Sequence, residues 1–203
     1  MAEHGYEEVL APNIYYDRNF NTEAVKILPG EYYATGRDMV LVTVLGSCVA
    51  ACVRDRVSGI GGMNHFMLPD SGSDQSSPLS TSARYGTYAM EMLLNQLSKL
   101  GAKRANLEAK VFGGGSVLRG FTVSNVGERN AKFVLDFMQT EKIKIVAQDL
   151  LDIYPRKVYF FPQTGKALIK QLKRAHNDTI IEREKEYSSR LVQSKVEGDV
   201  ELF

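Results

Sequence analysis

At 203 residues, 44% hydrophobic and 24% charged, the chain carries enough apolar content for one sizeable core. Its 25 basic and 24 acidic residues leave a formal net charge of +1, which argues against nucleic acid or an anionic membrane as the main partner. No apolar run reaches the ~18 residues of a membrane helix, the acidic start MAEHGYEEVLAPN lacks a secretory segment, and two cysteines make no disulfide framework, so a cytoplasmic protein with reduced thiols is expected.

Residues 1–23 are polar, with a proline and several asparagines, and read as a flexible N-terminal arm. The stretch AVKILPGEYYAT (24–35) reads as strand, Pro-Gly turn, strand, which suggests an antiparallel hairpin. MVLVTVLG (39–46) is a continuous β-branched run closed by glycine, the pattern of a strand buried on both faces. Ser47 is then placed to cap a short helix starting at Cys48. IGGMNHFMLP (60–69) reads as the next strand, with Pro69 ending it.

DSGSDQSSPLSTS (70–82) is a loop composition. After it, Tyr85, Tyr88, Ala89, Met92, Leu93 and Leu97 fall at helical spacing, with Gly101 just past the end. NLEAKVF (106–112) is strand-like and runs into Gly113-Gly114-Gly115. A second helix is predicted over 128–142, with Ala131, Val134, Leu135 and Met138 on one face. Residues 143–150 and 156–162 alternate as strands. From 176 to the end the chain is highly charged and reads as a peripheral helix and frayed end facing water. Interleaved strands and helices over 24–175 predict a layered α/β or α+β domain.

The chemistry-bearing residues lie in TVLGSCVAACVRDRVSGIGGMNHFMLPD (43–70). A buried cysteine is more often a small hydrophobe than a nucleophile. Cys48 gains a second reading from its place after Gly46-Ser47: a helix start would lower its pKa, and the N–H groups of the turn could hold an oxyanion. Cys52 reads as structural. His65 sits among Met63, Phe66, Met67 and Leu68, where a core imidazole is the commoner outcome. If 39–45 and 60–68 pair as neighbouring strands, Cys48 and His65 can meet and ionise to thiolate and imidazolium. Thr43, Asn64, Ser47 and Thr35 are candidates to orient the ring. A zinc site on both thiols and His65 lacks a fourth ligand.

The segments LGSCVAACVRD, GIGGMNHFMLP, RYGTYAMEMLLNQL, EAKVFGGGSVL, VGERNAKFVL and RKVYFFPQTGK follow one another in the order of the chemoreceptor glutamine deamidase family, CheD, and the likeness runs over about residues 27–172. The resemblance implies a single three-layer α/β/α domain with a mixed sheet. It also implies a cytoplasmic enzyme of bacterial chemotaxis that hydrolyses glutamine side-chain amides on chemoreceptors, the methyl-accepting chemotaxis proteins. Cys48 stands at the family's nucleophile and His65 at its base. The family's third residue is a threonine on the preceding strand; Thr43 is the nearest match, with Val42 at the expected spacing. No metal and no cofactor are implied.

Gly113-Gly114-Gly115 lacks the spacing of a phosphate loop and reads as a tight turn. The resemblance makes Phe112, Gly113 and Gly114 partner-binding candidates toward a CheC-type chemotaxis phosphatase. Arg129 and Asn130 read as structural hydrogen-bonders near the site. Leu151 and Asp152 stand where the family usually carries paired glycines. The rival readings are a receptor- and phosphatase-binding adaptor with little turnover, and a receptor methylesterase. The retained Cys48 and His65 favour the deamidase, because docking alone does not need that pair. The charged extension 176–203 reads either as a solvated helix or as a contact to the helical receptor bundle.

Overall fold

The computed structural model describes residues 9–69, 81–117, 126–172 and 177–193. The loop expected over 70–82 falls mostly outside these, as do His4, His176 and the ends of the expected arm and extension.

The strands, in chain order, are β1 (Val9–Leu10), β2 (Asn13–Asp17), β3 (Thr22–Lys26), β4 (Glu31–Thr35), β5 (Val40–Leu45), β6 (Val49–Asp55), β7 (Gly61–His65), β8 (Leu107–Gly113), β9 (Lys144–Leu150), β10 (Arg156–Phe161) and β11 (Lys166–Gln171). The helices are α1 (Thr81–Lys99), α2 (Val126–Thr140) and α3 (Asn177–Gln193). The α/β class and the mixed strand directions are as expected. The strands, however, divide between two sheets, one of order β1-β4-β7-β6-β8-β9 and one of order β11-β10-β5-β3-β2. Each mixes parallel and antiparallel pairs.

Alternation along β7 shows how the layers stack. Gly62 and Asn64 face α1, where Asn64 donates to the Ala89 carbonyl. Beyond the strand, Phe66 packs edge-on against Phe133 of α2. Gly61 and His65 point the other way, toward Pro162, just past β10, and Thr43 of β5 in the five-stranded sheet. Helices α1 and α2 thus cover one face of the six-stranded sheet, and the five-stranded sheet covers the other. The core between these layers is built from Leu41, Leu45, Met63, Leu93, Leu97, Val111, Met138 and Phe160, all fully buried.

Three expectations are corrected here. Pro29-Gly30 is not a hairpin turn: β3 belongs to one sheet and β4 to the other, so the link crosses between them. The strand that carries Thr43 does not pair with the strand that carries His65; β5 pairs with β3 and β10, and β7 with β4 and β6. Over its described part, the arm expected at 1–23 is instead strand: β2 hairpins onto β3, the Asp17 carboxylate accepting the Asn19 and Phe20 amides in the turn.

The helices predicted after the 70–82 loop, over 128–142 and from 176 onward are present as α1, α2 and α3, with α1 burying Tyr85, Ala89, Leu93 and Leu97. The end of α1 is closed as expected, with Gly101 at φ 101° and the Ala102 amide bonded to the Leu97 carbonyl.

Candidate active site

Cys48 does not start a helix. The chain leaves β5 at Leu45, turns through Gly46-Ser47-Cys48 and enters β6 at Val49. The helix dipole invoked to lower the Cys48 pKa is therefore absent. The run Val49-Ala50-Ala51-Cys52-Val53 is buried on both faces, so it shows no alternation that would separate strand from helix. Cys52 sits within β6 opposite Met63, about 13 Å along the strand from Cys48 at strand rise. Both thiols are free.

The turn holding Cys48 is clamped by backbone groups. The Gly114 amide donates to the Cys48 carbonyl at 2.8 Å, and the Gly115 amide to the Gly46 carbonyl at 2.8 Å. Gly113 has φ 112°, and a Cβ there would lie 2.1 Å from the Cys48 carbonyl oxygen. Only glycine admits that approach. Asn130 of α2 is fully buried; its Nδ2 donates to the Ser47 carbonyl at 2.8 Å, and its Oδ1 accepts the Leu68 amide at 2.9 Å. The glycine run and Asn130 therefore tie the Cys48 turn to the end of the His65 segment. Phe112 is buried and the run is turned inward, leaving Phe112, Gly113 and Gly114 little outward surface.

His65 reaches the same space from the facing strand. Val49 pairs with Phe66, their amides and carbonyls bonded both ways at 3.0 Å. In that antiparallel register Cys48 and His65 project from the same face, on a diagonal across the pair. Of the four candidates to orient the ring, Thr43 makes the contact: its Oγ1 lies 2.8 Å from His65 Nδ1 and 2.7 Å from the Ile27 carbonyl. The carbonyl takes the hydroxyl proton, so Oγ1 accepts from Nδ1–H. Nε2 is then the basic nitrogen, and it has no hydrogen-bond partner among the described residues. Val42 faces the opposite side of β5, against Ala24, Phe20 and Tyr159. Asn64 serves β6 and α1 instead, its Oδ1 accepting the Ala51 amide.

The sequence reading had no place for the residue that fills this site. Glu184, from α3, is 3% exposed. Its carboxylate accepts the amides of Gly46, Ser47 and Cys48, each at 3.0 Å, and the Ser47 hydroxyl at 2.7 Å. The helix is held by a stripe at 180, 184, 187 and 191. Ile180, Tyr187 and Leu191 are buried, Tyr187 lies against Gly30, and its hydroxyl bonds that of Tyr85. So α3 is not simply a solvated helix, and the cleft is covered: Cys48 is fully buried and His65 is 2% exposed. A cavity of about 300 Å³ remains beside it, lined by Lys26, Thr43, His65, Lys157, Arg183 and Glu184 among others.

This environment suppresses charge on both groups. Burial, then the Glu184 carboxylate, pushes the Cys48 thiol well above its usual range. Burial pushes the His65 imidazole down to about 3, with the Ile27 carbonyl pulling weakly the other way. With α3 seated, the pair is a neutral thiol and a neutral ring rather than the expected thiolate and imidazolium. Among the described residues no group of three or more His, Cys, Asp or Glu side chains is placed to hold a metal ion.

Comparison with known proteins gives the lineage. The sequence model of a family described as CheD, CheD chemotactic sensory transduction, matches residues 67–171. A probable chemoreceptor glutamine deamidase CheD from Thiobacillus denitrificans is 67% identical, covering 97% of this chain and 98% of that protein. The chain belongs to the CheD family. Proteins of the same description from Herminiimonas arsenicoxydans and a Janthinobacterium species are 66% and 64% identical, each covering 97% of both chains. In this CheD-family chain the paired positive-φ residues Leu151 (66°) and Asp152 (70°) occupy the place where the resemblance leads one to expect two glycines. Both residues hold the backbone in the left-handed conformation that glycine favours. Arg156, 1% exposed, donates to the carbonyls of Gly113, Asp149 and Leu151 and holds this loop against the glycine run.

Proposed function

We propose that this chain is a protein-glutamine glutaminase, deamidating specific glutamines on chemoreceptors through a thioester on Cys48. The observation that carries the reading is the His65 ring, its Nδ1 bonded to Thr43 and its basic Nε2 aimed from the face that also bears Cys48. That arrangement fits a base set to take a proton from a thiol. The names of the relatives supply the substrate class.

Once the site is open, His65 Nε2 takes the thiol proton and the sulfur attacks the carboxamide carbon. The amides of Gly46, Ser47 and Cys48 face the place where the oxyanion would develop. Collapse breaks the C–N bond, and the proton on His65 leaves with ammonia. His65 then takes a proton from water, whose oxygen attacks the thioester. The products are a glutamate side chain and the restored thiol. Thr43 holds the imidazole in the tautomer both steps require. No helix among the described residues is long and apolar enough to cross a membrane; we place the reaction in the cytoplasm, where two free buried thiols stay reduced. If a CheC-type phosphatase binds this chain, the inward-turned 112–114 run directs that contact to another surface.

The test is incubation with cytoplasmic receptor fragments, reading glutamine-to-glutamate conversion by mass spectrometry. Wild type converts and Cys48→Ala does not. Conversion by both removes Cys48 from the mechanism, and conversion by neither favours the adaptor.

A further inference from the structure

On that reading of the site, the position of Glu184 gains a specific meaning. A glutamine deamidase leaves a glutamate side chain beside its nucleophile. Here a glutamate side chain lies beside Cys48, with both carboxylate oxygens on the three amides assigned above to the oxyanion. The charge of that carboxylate, after burial, helps hold the thiol in its neutral form. The residue is presented by a helix, and the helix seats through residues one turn before it and one and two turns after it. We propose that α3 is an intramolecular product mimic: Glu184 takes the place of the newly formed glutamate, and α3 takes the place of the receptor helix that bears it.

Two consequences follow. The groove that binds α3, floored by Gly30, Gly46 and Tyr85, is the docking groove for the substrate helix. The enzyme is also self-inhibited, since α3 and the receptor compete for one site, and a receptor helix displaces it only by binding that groove better. Three successive amides in a buried setting form a nest for an anion. They hold a charged carboxylate strongly, and a neutral carboxamide less so, because its NH2 can only oppose an amide donor. The resting enzyme is therefore closed by its own glutamate yet open to competition.

The deciding experiment converts the mimic into a substrate. In purified full-length Glu184→Gln, the amide introduced at position 184 sits against Cys48, and the enzyme hydrolyses it in one turnover. The sulfur displaces ammonia from the side chain, and water releases the acid. Peptide mass spectrometry then finds glutamate at 184, while the double variant Glu184→Gln, Cys48→Ala keeps the amide. An intact amide at 184 in a preparation that still deamidates receptor fragments overturns the proposal and spares the enzymatic reading. An intact amide in a preparation with no receptor activity, alongside an inactive wild type, overturns both.

A second variant reads the inhibition. Glu184→Ala removes the carboxylate that raises the thiol, so iodoacetamide alkylates Cys48 about tenfold faster for each unit the pKa falls, and receptor deamidation rises with it. Unchanged rates of both in a folded Glu184→Ala protein overturn the self-inhibition.

Discussion

Thr43 on β5 and His65 on β7 lie in different sheets, and their 2.8 Å hydrogen bond joins the two across the core. The same hydroxyl is anchored to the Ile27 carbonyl, so it both stitches the layers and sets which ring nitrogen is basic. In Thr43→Val the ring loses its acceptor and its tautomer preference, and kcat for receptor deamidation falls about 10- to 100-fold. Thr43→Ser keeps the hydroxyl and recovers most of the rate. Failure of serine to rescue would mean the methyl group, not the hydrogen bond, matters.

Gly113 packs against the Cys48 carbonyl. Adding one Cβ in Gly113→Ala places carbon 2.1 Å from the Cys48 oxygen at a φ of 112°. The turn must move, at a cost of at least about 2 kcal/mol. Urea denaturation reads the loss, and Cys48 alkylation reads the displaced turn. Gly115→Ala, whose Cβ would meet the Tyr154 and Gly46 carbonyl oxygens at 3.0 and 3.1 Å, is the milder change.

Acid weakens the fold through His65. Its ring holds a proton only below about pH 3 when folded, against 6.5 ordinarily, so the unfolded chain binds the proton first. The stability conferred by the neutral ring is complete above 6.5 and is lost as pH falls toward 3. Between those values it declines by up to about 1.4 kcal/mol per pH unit. His65→Asn removes that slope. Urea midpoints for both proteins between pH 7.5 and 4.5 should converge as pH falls. Parallel curves would contradict the buried neutral ring.

Leu151 and Asp152 sit at positive φ, 66° and 70°. A residue with a Cβ pays about 1–2 kcal/mol there, while glycine's extra freedom in the unfolded chain costs about 0.5–1 kcal/mol. Leu151→Gly, at an exposed position, therefore raises stability by a few tenths to about 1 kcal/mol. A rise in Tm with unchanged alkylation of Cys48 is the expected result. A fall would show that the leucine side chain holds the loop.

Local pattern determined much of this protein. The apolar spacing of α1 and α2, the β-branched run of β5, the alternation of β10 and the turn glycines are set by side-chain period and backbone freedom, which act over a few residues. The quoted segments, with Cys48 and His65 in them, also sufficed to place the family. Tertiary structure alone decided how the strands divide between two sheets, because pairing joins residues far apart in sequence. It decided that Val49–Asp55 is strand, because burial on both faces erased the period. It also brought Thr43 to His65 across the layers and set Glu184 onto Cys48 from 136 residues away. No short-range signal marks that last contact: in sequence Glu184 is one acid among many in a charged helix, and only the folded chain gives its carboxylate three amides to bind.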